Sequence, residues 1–569
     1  MQDLKKNWVD ITKGEQFTII RDVIYSMVTR RRYSESEFNK KEEERLIIDV
    51  TLIIKTILED INDKKKFLLW GDYDVDGTCS VLIWIFTFKA LGYNNFSYHI
   101  PDRNSGYGLS IDGLEKVITD HDTVITMDNG ITAKAESEWC KQKGIKLIVT
   151  DHHTYTPENI TTAPYVFNPK QYDNTMYSNL CGAGISYLIC TRMYRFWFPK
   201  EYQDPNNDFK SNIAFFAAMG TICDFVHLES GNRFIFHEAR TSLQKTKNLA
   251  LKQLAYFLNL KSLKLTSDDF GFTIGPLINA CGRMDNMKCV VDFFTSDDTD
   301  IPACLNNFKK MKENLLKRKI EESKTNKIIN EELNKSIYGS QPYVFFGHED
   351  FHLGIVGLSA TKFTNQLNKP CLFYKAGDIC HGSGRSIEGV NLLSILKKEE
   401  HLFESIGGHE MAFGFKFKKE NINFINDFLD VRLSEVFAKD ENLFEKKIQY
   451  DGELISEMLS LELAEELDHH EPFGIKFPKP VFKIKASVLK KEHIGKNKEH
   501  SQVFIRDNKG LPKKIMFFFQ NPEITEGNDI EILVSVSLTA WRGKTEVLIK
   551  AIDSSCKDLG FENSNIVIS

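Results

Sequence analysis

Residues 67–77 read FLLWGDYDVDG and join a short apolar run to three closely spaced aspartates. A short apolar run that ends in small and polar residues is typical of a buried strand. Further runs of this kind, with amphipathic stretches between them, follow at residues 96–100, 124–127, 145–149 and 165–167. This alternation predicts an α/β fold built on a parallel, doubly wound sheet.

The three aspartates, Asp72, Asp74 and Asp76, come directly after the first predicted strand. Extended backbone alternates its side chains, so these carboxylates project to one side of the chain. Clustered carboxylates repel one another and take up protons unless cations compensate their charge. The pattern therefore predicts a site for divalent metal ions.

Two later strands end in similar residues, at 127–130 (MDNG) and 150–153 (TDHH), and Asp224 follows an apolar helical run in GTICD. Loops beyond the carboxyl ends of parallel strands converge on one crevice, so these acids and imidazoles can meet there. Each motif alone is more often a turn than a set of ligands. Their recurrence on successive strand ends favours a metal site.

The mixture of ligand types indicates the metal and the reaction. Aspartate and histidine together suit Mn²⁺, with Mg²⁺ as a weaker competitor. Two such ions a few ångströms apart activate a water molecule and stabilise the leaving oxygen of a phosphodiester. We therefore expect a phosphodiester hydrolase with two Mn²⁺ or Mg²⁺ ions as cofactors.

The bulk composition is that of a multidomain globular protein. The chain has 569 residues, of which 42% are hydrophobic, and a formal net charge of −6. This charge argues against a protein that coats duplex DNA, so a nucleic-acid enzyme of this sequence needs a local basic groove. The 11 cysteines lack Cys-x-x-Cys spacing, and the longest apolar stretch, Val81 to Phe88, is too short to span a bilayer. We expect a cytoplasmic protein with no membrane partner.

Composition also predicts the domain organisation. Residues 303–338 contain neither proline nor glycine and carry apolar residues at helical spacing, which predicts a long connecting helix. A second, smaller α/β unit follows, and then alternating strands with one intervening helix, Leu461 to Leu467, suit an OB-type β-barrel. The predicted domains are residues 1–295 (catalytic, with an N-terminal helical extension), 296–338 (connecting helix), 339–440 (substrate-binding) and 441–569 (nucleic-acid-binding barrel).

The motifs of the first half resemble those of the DHH phosphoesterase family. They are DYDVDG at residues 72–77, MDNG at 127–130, DHH at 151–153 and GTICD at 220–224. The resemblance implies catalytic roles for Asp72, as an additional ligand, and for His153, which orients other groups or lies near the scissile phosphate. It implies the following metal ligands: Asp74, Asp76, Asp128, His152 and Asp224.

Three glycine-rich segments of the second unit resemble the DHH-associated domain of the same family. They are GIVGLSATK at 354–362, GSGRS at 382–386 and GGHEMAFG at 407–414. Glycine-rich turns let backbone N–H groups approach phosphate, and arginine grips phosphate bidentately. The resemblance implies that Ser383, Arg385 and His409 bind the substrate. The alternative is that the glycines only form tight turns.

Segments at 101–103 (PDR), 106–109 (GYGL) and 279–284 (NACGRM) are similar to those of the family's exonucleases for single-stranded DNA. Three further roles are implied: a 5′-phosphate contact for Arg103 with Ser383 and Arg385, a DNA-backbone contact for Arg283, and stacking on a base for Tyr107. The resemblance thus implies a monomeric enzyme that degrades single-stranded DNA processively, 5′→3′, to mononucleotides in repair and recombination. Its implied partners are single-stranded DNA with a 5′ end, single-strand-binding protein and a helicase.

Two segments do not follow the family pattern. Residues 471–474 (EPFG) resemble the family's segment before the barrel, but Ile475-Lys476-Phe477 follows where the family usually shows a glycine-asparagine turn. A second DHH string, at residues 468–470, ends a polar helix and follows no strand. We therefore assign the second string no chemistry.

Two other functions fit parts of the pattern. A DHH-family phosphodiesterase for short oligoribonucleotides or cyclic dinucleotides shares both α/β units but normally lacks an appended barrel. A non-catalytic scaffold on a DHH fold is recognised by eroded acids, whereas every expected acid is present here. The barrel and the acids therefore favour the exonuclease.

Overall fold

The computed structural model describes residues 6–31, 38–103, 106–204, 207–260, 264–297, 299–334, 341–507, 509–541 and 544–556. Within these ranges, no helix combines the length and the apolar character that crossing a membrane requires. The described residues form an N-terminal α/β domain, a second α/β unit and a C-terminal β-barrel.

The first elements of the chain pack on the C-terminal domain. They are β1 (Lys6–Asp10), β2 (Gln16–Phe17) and α1 (Ile20–Arg31). β1 pairs with residues 446–450, and Phe17, Val23 and Met27 join the hydrophobic core of the barrel. The predicted boundary, which placed residues 1–295 in one domain, is therefore wrong for residues 6–31. Two short strands and one helix are too few to enclose a hydrophobic core of their own. They pack instead against residues that lie more than 400 positions later in the chain.

The N-terminal domain contains a five-stranded parallel sheet, which confirms the prediction. After α2 (Lys40–Asn62), its strands are β3 (Phe67–Trp70), β4 (Phe96–His99), β5 (Thr123–Met127), β6 (Lys146–Thr150) and β7 (Tyr165–Phe167). The strand order is β4-β3-β5-β6-β7, and every neighbouring pair is parallel. The direction of strand addition reverses between β3 and β5, so a crevice opens there beyond their carboxyl ends.

Helices surround this sheet and complete the domain. They are α3 (Val75–Ala90), α4 (Ile111–Val117), α5 (Lys134–Gln142), α6 (Gly182–Trp197), α7 (Pro199–Gln203), α8 (Asp208–Cys223), α9 (Ser230–Ala239), α10 (Ser242–Lys245), α11 (Leu249–Phe257), a π-helical segment (Asp269–Ile274), α12 (Gly275–Met284) and α13 (Lys288–Phe294). α3 is buried along almost its whole length because α6 and α8 pack against it. Its apolar surface fixes the start of the helix, where Asp74 and Asp76 lie.

The predicted connecting helix is α14 (Ile301–Leu333), and residues 335–338 of the prediction lie outside the described residues. It begins at Asp300, whose side chain accepts a hydrogen bond from the backbone N of Ala303 at 3.0 Å. Its first half packs on α12 and α13, and its second half packs on the second α/β unit. One continuous helix therefore spaces the two α/β units.

The second α/β unit contains β8 (Val344–His348), α15 (Leu353–Leu367), β9 (Cys371–Lys375), β10 (Ile379–Arg385), α16 (Leu392–Leu396), β11 (Ser405–His409), β12 (Ala412–Lys418) and α17 (Ile422–Lys439). The strand order is β11-β12-β10-β9-β8, and only β8 and β9 are parallel neighbours. β10 and β11 carry the glycine-rich segments whose residues were predicted to bind substrate.

The C-terminal domain forms the predicted OB-type barrel. Its elements are β13 (Lys446–Tyr450), β14 (Glu453–Leu454), α18 (Leu461–His469), β15 (Phe482–Ile494), β16 (His500–Arg506), β17 (Pro512–Phe517), β18 (Asp529–Trp541) and β19 (Lys544–Cys556). The ring closes in the order β15-β16-β17-β19-β18, with β18 back on β15 and with β17 and β19 parallel. The predicted helix lies before all five strands of the ring, not between them.

Candidate metal centre and substrate-binding crevice

The loop after β3 places its three carboxylates at the start of α3. Asp74 caps the helix, and its Oδ1 accepts a hydrogen bond from Gly77 N at 3.0 Å. Asp76 lies in the first helical turn and is 1% exposed. Its carboxylate accepts hydrogen bonds from the backbone N of Gly182 (2.6 Å) and of Ala183 (2.9 Å), at the start of α6. Two helix N-termini therefore converge on this acidic loop.

Asp128 follows β5 in a left-handed backbone conformation, with φ of 65°. This conformation is uncommon for a residue with a side chain, and strained positions of this kind cluster at active sites. A Cβ on Gly182 would lie 2.5 Å from the Cβ of Asp128, so only glycine lets α6 approach this closely. The start of α6 thus supports both Asp76 and Asp128.

Asp151 holds the two histidines that follow β6. Its Oδ1 accepts hydrogen bonds from the backbone N of His152 (2.7 Å) and of His153 (3.1 Å), and lies 2.7 Å from His153 Nδ1. Burial acts to lower the pKa of His153, but the hydrogen bond and negative charge of Asp151 outweigh it, so this pKa lies above its usual value. Asp151 therefore positions the imidazole of His153 and the backbone of His152.

His152 points into a ring of carboxylates. Its Nε2 lies 3.0 Å from Asp128 Oδ1, 3.5 Å from Asp224 Oδ2 and 3.8 Å from Asp76 Oδ2. Asp224 ends α8, and Gly220 in that helix is needed because a Cβ there would lie 2.3 Å from Asp76 Oδ1. Burial, followed by the charge of its neighbour imidazole, lowers the pKa of His152 to about 4, so the ring is neutral near pH 7 and can bind a metal.

The donor atoms fit divalent cations. Three groups bring their ligand atoms within 4.8 Å of one another: Asp128, His152 and His153; Asp76, His152 and Asp224; and Asp72, Asp74 and Asp128. Among the described residues, Asp72 Oδ1 is buried without a hydrogen-bond partner, and Asp128 Oδ1 and His152 Nε2 are buried and lie 3.0 Å apart without forming a hydrogen bond. Burial and then neighbouring carboxylates raise the pKa of Asp72, Asp128 and Asp224 well above its usual value. Buried acids without compensation are the arrangement that bound cations stabilise.

A cluster of arginines lies beside the acids. The Arg103 guanidinium lies 4.2 Å from the centre of the Tyr73 ring, and its Nε donates to Gly282 O at 3.2 Å. Arg283 Nη1 donates to Gly354 O at 2.9 Å, which joins α12 to the second α/β unit. Burial, then the charges of other arginines including Arg385, lowers the pKa of Arg283 to about 9. Concentrated positive charge of this kind is suited to a phosphate.

The second α/β unit contributes three of the predicted substrate residues. Arg385 Nη1 donates to Ser383 Oγ at 2.7 Å, and its Nε donates to Thr361 Oγ1 at 3.0 Å. His409 lies at the end of β11, where partial burial, followed by the charge of His153, lowers its pKa. The two units therefore face each other across one crevice.

Tyr107 lies at the edge of the acidic cluster. Its hydroxyl donates to the backbone O of Asp128 at 3.0 Å and lies 3.1 Å from His153 Nε2. The residue is 53% exposed, so its ring keeps a free surface at the mouth of the crevice.

Sequence reasoning missed three residues of this crevice. Asn168 Nδ2 donates to His153 O at 2.9 Å, and Lys170 lies close enough to Asp151 and Asp224 for their charges to affect its pKa. Both follow β7, so the strand-end rule could have found them. Arg318 lies near Arg283, but it belongs to α14, and nothing in a charged helix distinguishes it.

Family models match three parts of the chain. They are the DHH family, N-terminal domain, at residues 66–221, the DHHA1 domain at residues 339–435 and the RecJ OB domain at residues 450–553. The matches follow one another in the order of the catalytic sheet, the second α/β unit and the barrel.

Relatives match most of the chain. The single-stranded-DNA-specific exonuclease RecJ of Haemophilus influenzae is 28% identical over 80% of this chain and 81% of its own length. The protein of the same name from Escherichia coli is 28% identical over 79% of each chain. Among solved structures, RecJ from Thermus thermophilus in complex with Mn²⁺ covers 98% of this chain and 80% of its own, with a TM-score of 0.76 and 20% identity.

Proposed function

Since the chain belongs to the DHH family, with the domain set of its RecJ members, we propose that it is a metal-dependent exonuclease that hydrolyses single-stranded DNA. We assign it processive release of mononucleotides from the 5′ end, in DNA repair and recombination. The observation that carries the proposal is the meeting, in one crevice, of buried acids without compensating charge and a cluster of arginines.

The acids and one imidazole would hold two Mn²⁺ or Mg²⁺ ions. RecJ from Thermus thermophilus has been solved with each of these ions. The ligands we assign are Asp74, Asp76, Asp128, His152 and Asp224, with Asp72 beside them. When bound, the ions supply a nucleophilic water and neutralise charge on the leaving oxygen.

His153 acts next to these ligands. Asp151 holds its Nδ1 at 2.7 Å and raises its pKa against the effect of burial, so more of the imidazole is protonated at a given pH. The other ring nitrogen, which lies 3.1 Å from the Tyr107 hydroxyl, would donate a hydrogen bond to a non-bridging oxygen of the scissile phosphate when substrate is bound. Removal of Asp151 should therefore misplace the ring and lower its charge.

The arginines define which end of the strand is bound. Arg385, with Ser383 at 2.7 Å, and Arg103 form a positive pocket next to the acidic site. A terminal 5′ phosphate has one more negative charge than an internal phosphodiester and gains most from this pocket. Arg283 then contacts the backbone, and His409 faces the scissile position from the second unit. Cleavage one nucleotide from that anchor releases a mononucleotide.

Three features favour a single strand over a duplex. The acidic cluster is buried, and the second α/β unit faces it closely enough for His153 to affect the pKa of His409. A base on Tyr107, at the mouth of the crevice, has to be unpaired to stack. The OB-type barrel adds a groove suited to an extended strand.

A product ladder tests this function. The purified protein with Mn²⁺ is incubated with a 5′-phosphorylated single strand labelled at its 3′ end, and with the matching duplex. We expect the single strand to shorten from its unlabelled 5′ end while the duplex persists. Persistence of the full-length single strand, or early release of the 3′ label, would reject the proposal. Faster cleavage of a dinucleotide than of a long strand would favour the phosphodiesterase for short substrates.

The cellular setting is part of the same proposal. We place the enzyme in the cytoplasm as a monomer, with single-strand-binding protein and a helicase as partners that supply unpaired 5′ ends. Co-purification with either partner, and sedimentation of the protein alone, test these assignments.

A further inference from the structure

A cavity of about 300 Å³ adjoins the catalytic crevice where three parts of the molecule meet. Its walls come from the end of α8, the segment 271–283, α14 and the loop 473–475 before the barrel. Cys223 and Phe225 line it, and they flank Asp224, whose Oδ2 lies 3.5 Å from His152 Nε2. The cavity is therefore next to the proposed metal site.

Two phenyl rings in the wall of this cavity are largely exposed. Phe225 is 74% exposed and Phe272 is 79% exposed. Phe225 has φ of 55°, a left-handed conformation that bulky residues seldom adopt, and Phe272 lies in the π-helical segment. π-Helical turns concentrate at functional sites. The fold gains little from either ring in this position, whereas a ligand that covers them would gain from their apolar surface.

The same cavity carries positive charge. Arg283 and Arg318 both line it. The Nε of Arg318 is buried and has no hydrogen-bond partner in the described part of the chain, although Arg318 Nη2 lies 3.5 Å from Glu322. Flat apolar rings next to two guanidinium groups fit a flat aromatic ligand that carries an anionic group.

We propose that this cavity binds one unpaired nucleotide, with its base against Phe225 and Phe272 and its phosphate toward Arg283 and Arg318. The inference rests on the proposed function and adds a second nucleotide site to it. A volume of about 300 Å³ suits one small ligand and excludes a duplex. Two sources supply such a nucleotide: a position within the bound strand, or the mononucleotide that hydrolysis releases.

Fluorescence of 2-aminopurine, which falls when the base stacks, tests the proposal. One probe is a 5′-phosphorylated single strand with 2-aminopurine at one of its first positions, bound to a hydrolysis-deficient His152→Ala protein. The other probe is free 2-aminopurine deoxyribonucleoside 5′-monophosphate, bound to the unmodified protein. We expect quenching of at least one probe, and about tenfold weaker binding of that probe after Phe272→Leu. Tyr256→Leu is the matched control, because Tyr256 is also 79% exposed but lies outside the cavity.

Each result decides between stated alternatives. If the probe within the strand is quenched in a Phe272-dependent way, the site binds a position of the substrate. If the free nucleotide is quenched in this way, the site binds the product. Both results support the proposal. If Phe225→Leu and Phe272→Leu bind both probes as Tyr256→Leu does, the proposal is overturned. Cleavage of a labelled strand is measured in parallel. A protein that cleaves without any Phe272 dependence overturns the cavity site alone, whereas a protein that does not cleave overturns the proposed function.

Discussion

The chain contains the string Asp-His-His twice, and the two copies have different surroundings. The first, at residues 151–153, follows β6, and Asp151 turns back to hold its own two histidines. The second, at residues 468–470, ends α18, and Asp468 forms ion pairs with Arg240 and Lys264 instead. His469 is exposed to solvent. The comparison teaches that the strand end, and not the tripeptide, creates a metal site.

The largest difference between the two copies should appear when the middle histidine is removed. His152→Ala takes away the one imidazole that faces three carboxylates, so hydrolysis should fall by about a thousandfold. His469→Ala should leave the rate within about twofold, since surface substitutions rarely perturb a distant site. Initial rates on a 5′-phosphorylated single strand with Mn²⁺ measure both. Equal losses in the two variants would mean that position in the fold does not decide the role.

Substitution of the first residue of each string, Asp151 or Asp468, should produce a smaller difference in activity between the two copies. Asp151→Asn keeps the shape of the side chain but weakens the hold on His153, so activity should fall by about ten- to a hundredfold. Its pH–rate profile should also move to lower pH, because the charge that raises the pKa of His153 is lost. Asp468→Asn is the matched control and should keep the rate and profile of the parent protein. An unchanged profile in Asp151→Asn would contradict the positioning role.

The pH dependence of metal affinity should come from the site around the first Asp-His-His string, at residues 151–153, and not from the second string. Burial and neighbouring carboxylates raise the pKa of Asp72, Asp128 and Asp224, and a metal has to displace the protons that these groups retain. Ionised acids destabilise the metal-free protein as pH rises through these raised pKa values, so the increase in Tm caused by Mn²⁺ should grow as pH rises above the usual titration range of a carboxyl group. Differential scanning calorimetry measures it.

His469→Ala should preserve this trend, and His152→Ala should abolish most of it. A Tm increase that is independent of pH would show that the acids are already ionised without metal.

Asp468→Asn should have the smallest effect on catalysis, but it should lower the stability of the protein. Asp468 joins α18 to the N-terminal domain through the buried side chain of Arg240, so Asp468→Asn should lower the free energy of unfolding by about 1–3 kcal/mol. Urea unfolding followed by circular dichroism measures this change. The rate per folded molecule should not change. No loss of stability would mean that solvent compensates the Arg240 charge.

The sequence could predict the parts of the site that strand ends determine. In a parallel sheet the carboxyl ends share one edge, so residues 72–76, 128 and 151–153 had to meet wherever the sheet formed. Helix and barrel patterns were equally local, which is why α14 and the alternating strands were predicted correctly.

Long-range packing accounts for the remainder. Residues 6–31 pack on the barrel through partners such as Lys446–Tyr450, and no local pattern encodes that choice of surface. α18 precedes the barrel strands in the chain but packs on β18 and β19, the last two of them, so its neighbours could not be read from the local sequence. Arg318 is placed by the direction of α14, and the cavity exists only where three regions meet. Each depends on the assembled tertiary structure.

The metal centre is tested by counting the Mn²⁺ ions that bind to the unmodified protein and to the two histidine variants, with isothermal titration calorimetry at neutral pH. We predict two ions per chain in the unmodified protein and in His469→Ala, and fewer than two in His152→Ala. Absence of Mn²⁺ binding in the unmodified protein, or equal binding in both variants, would contradict a metal centre at the strand ends.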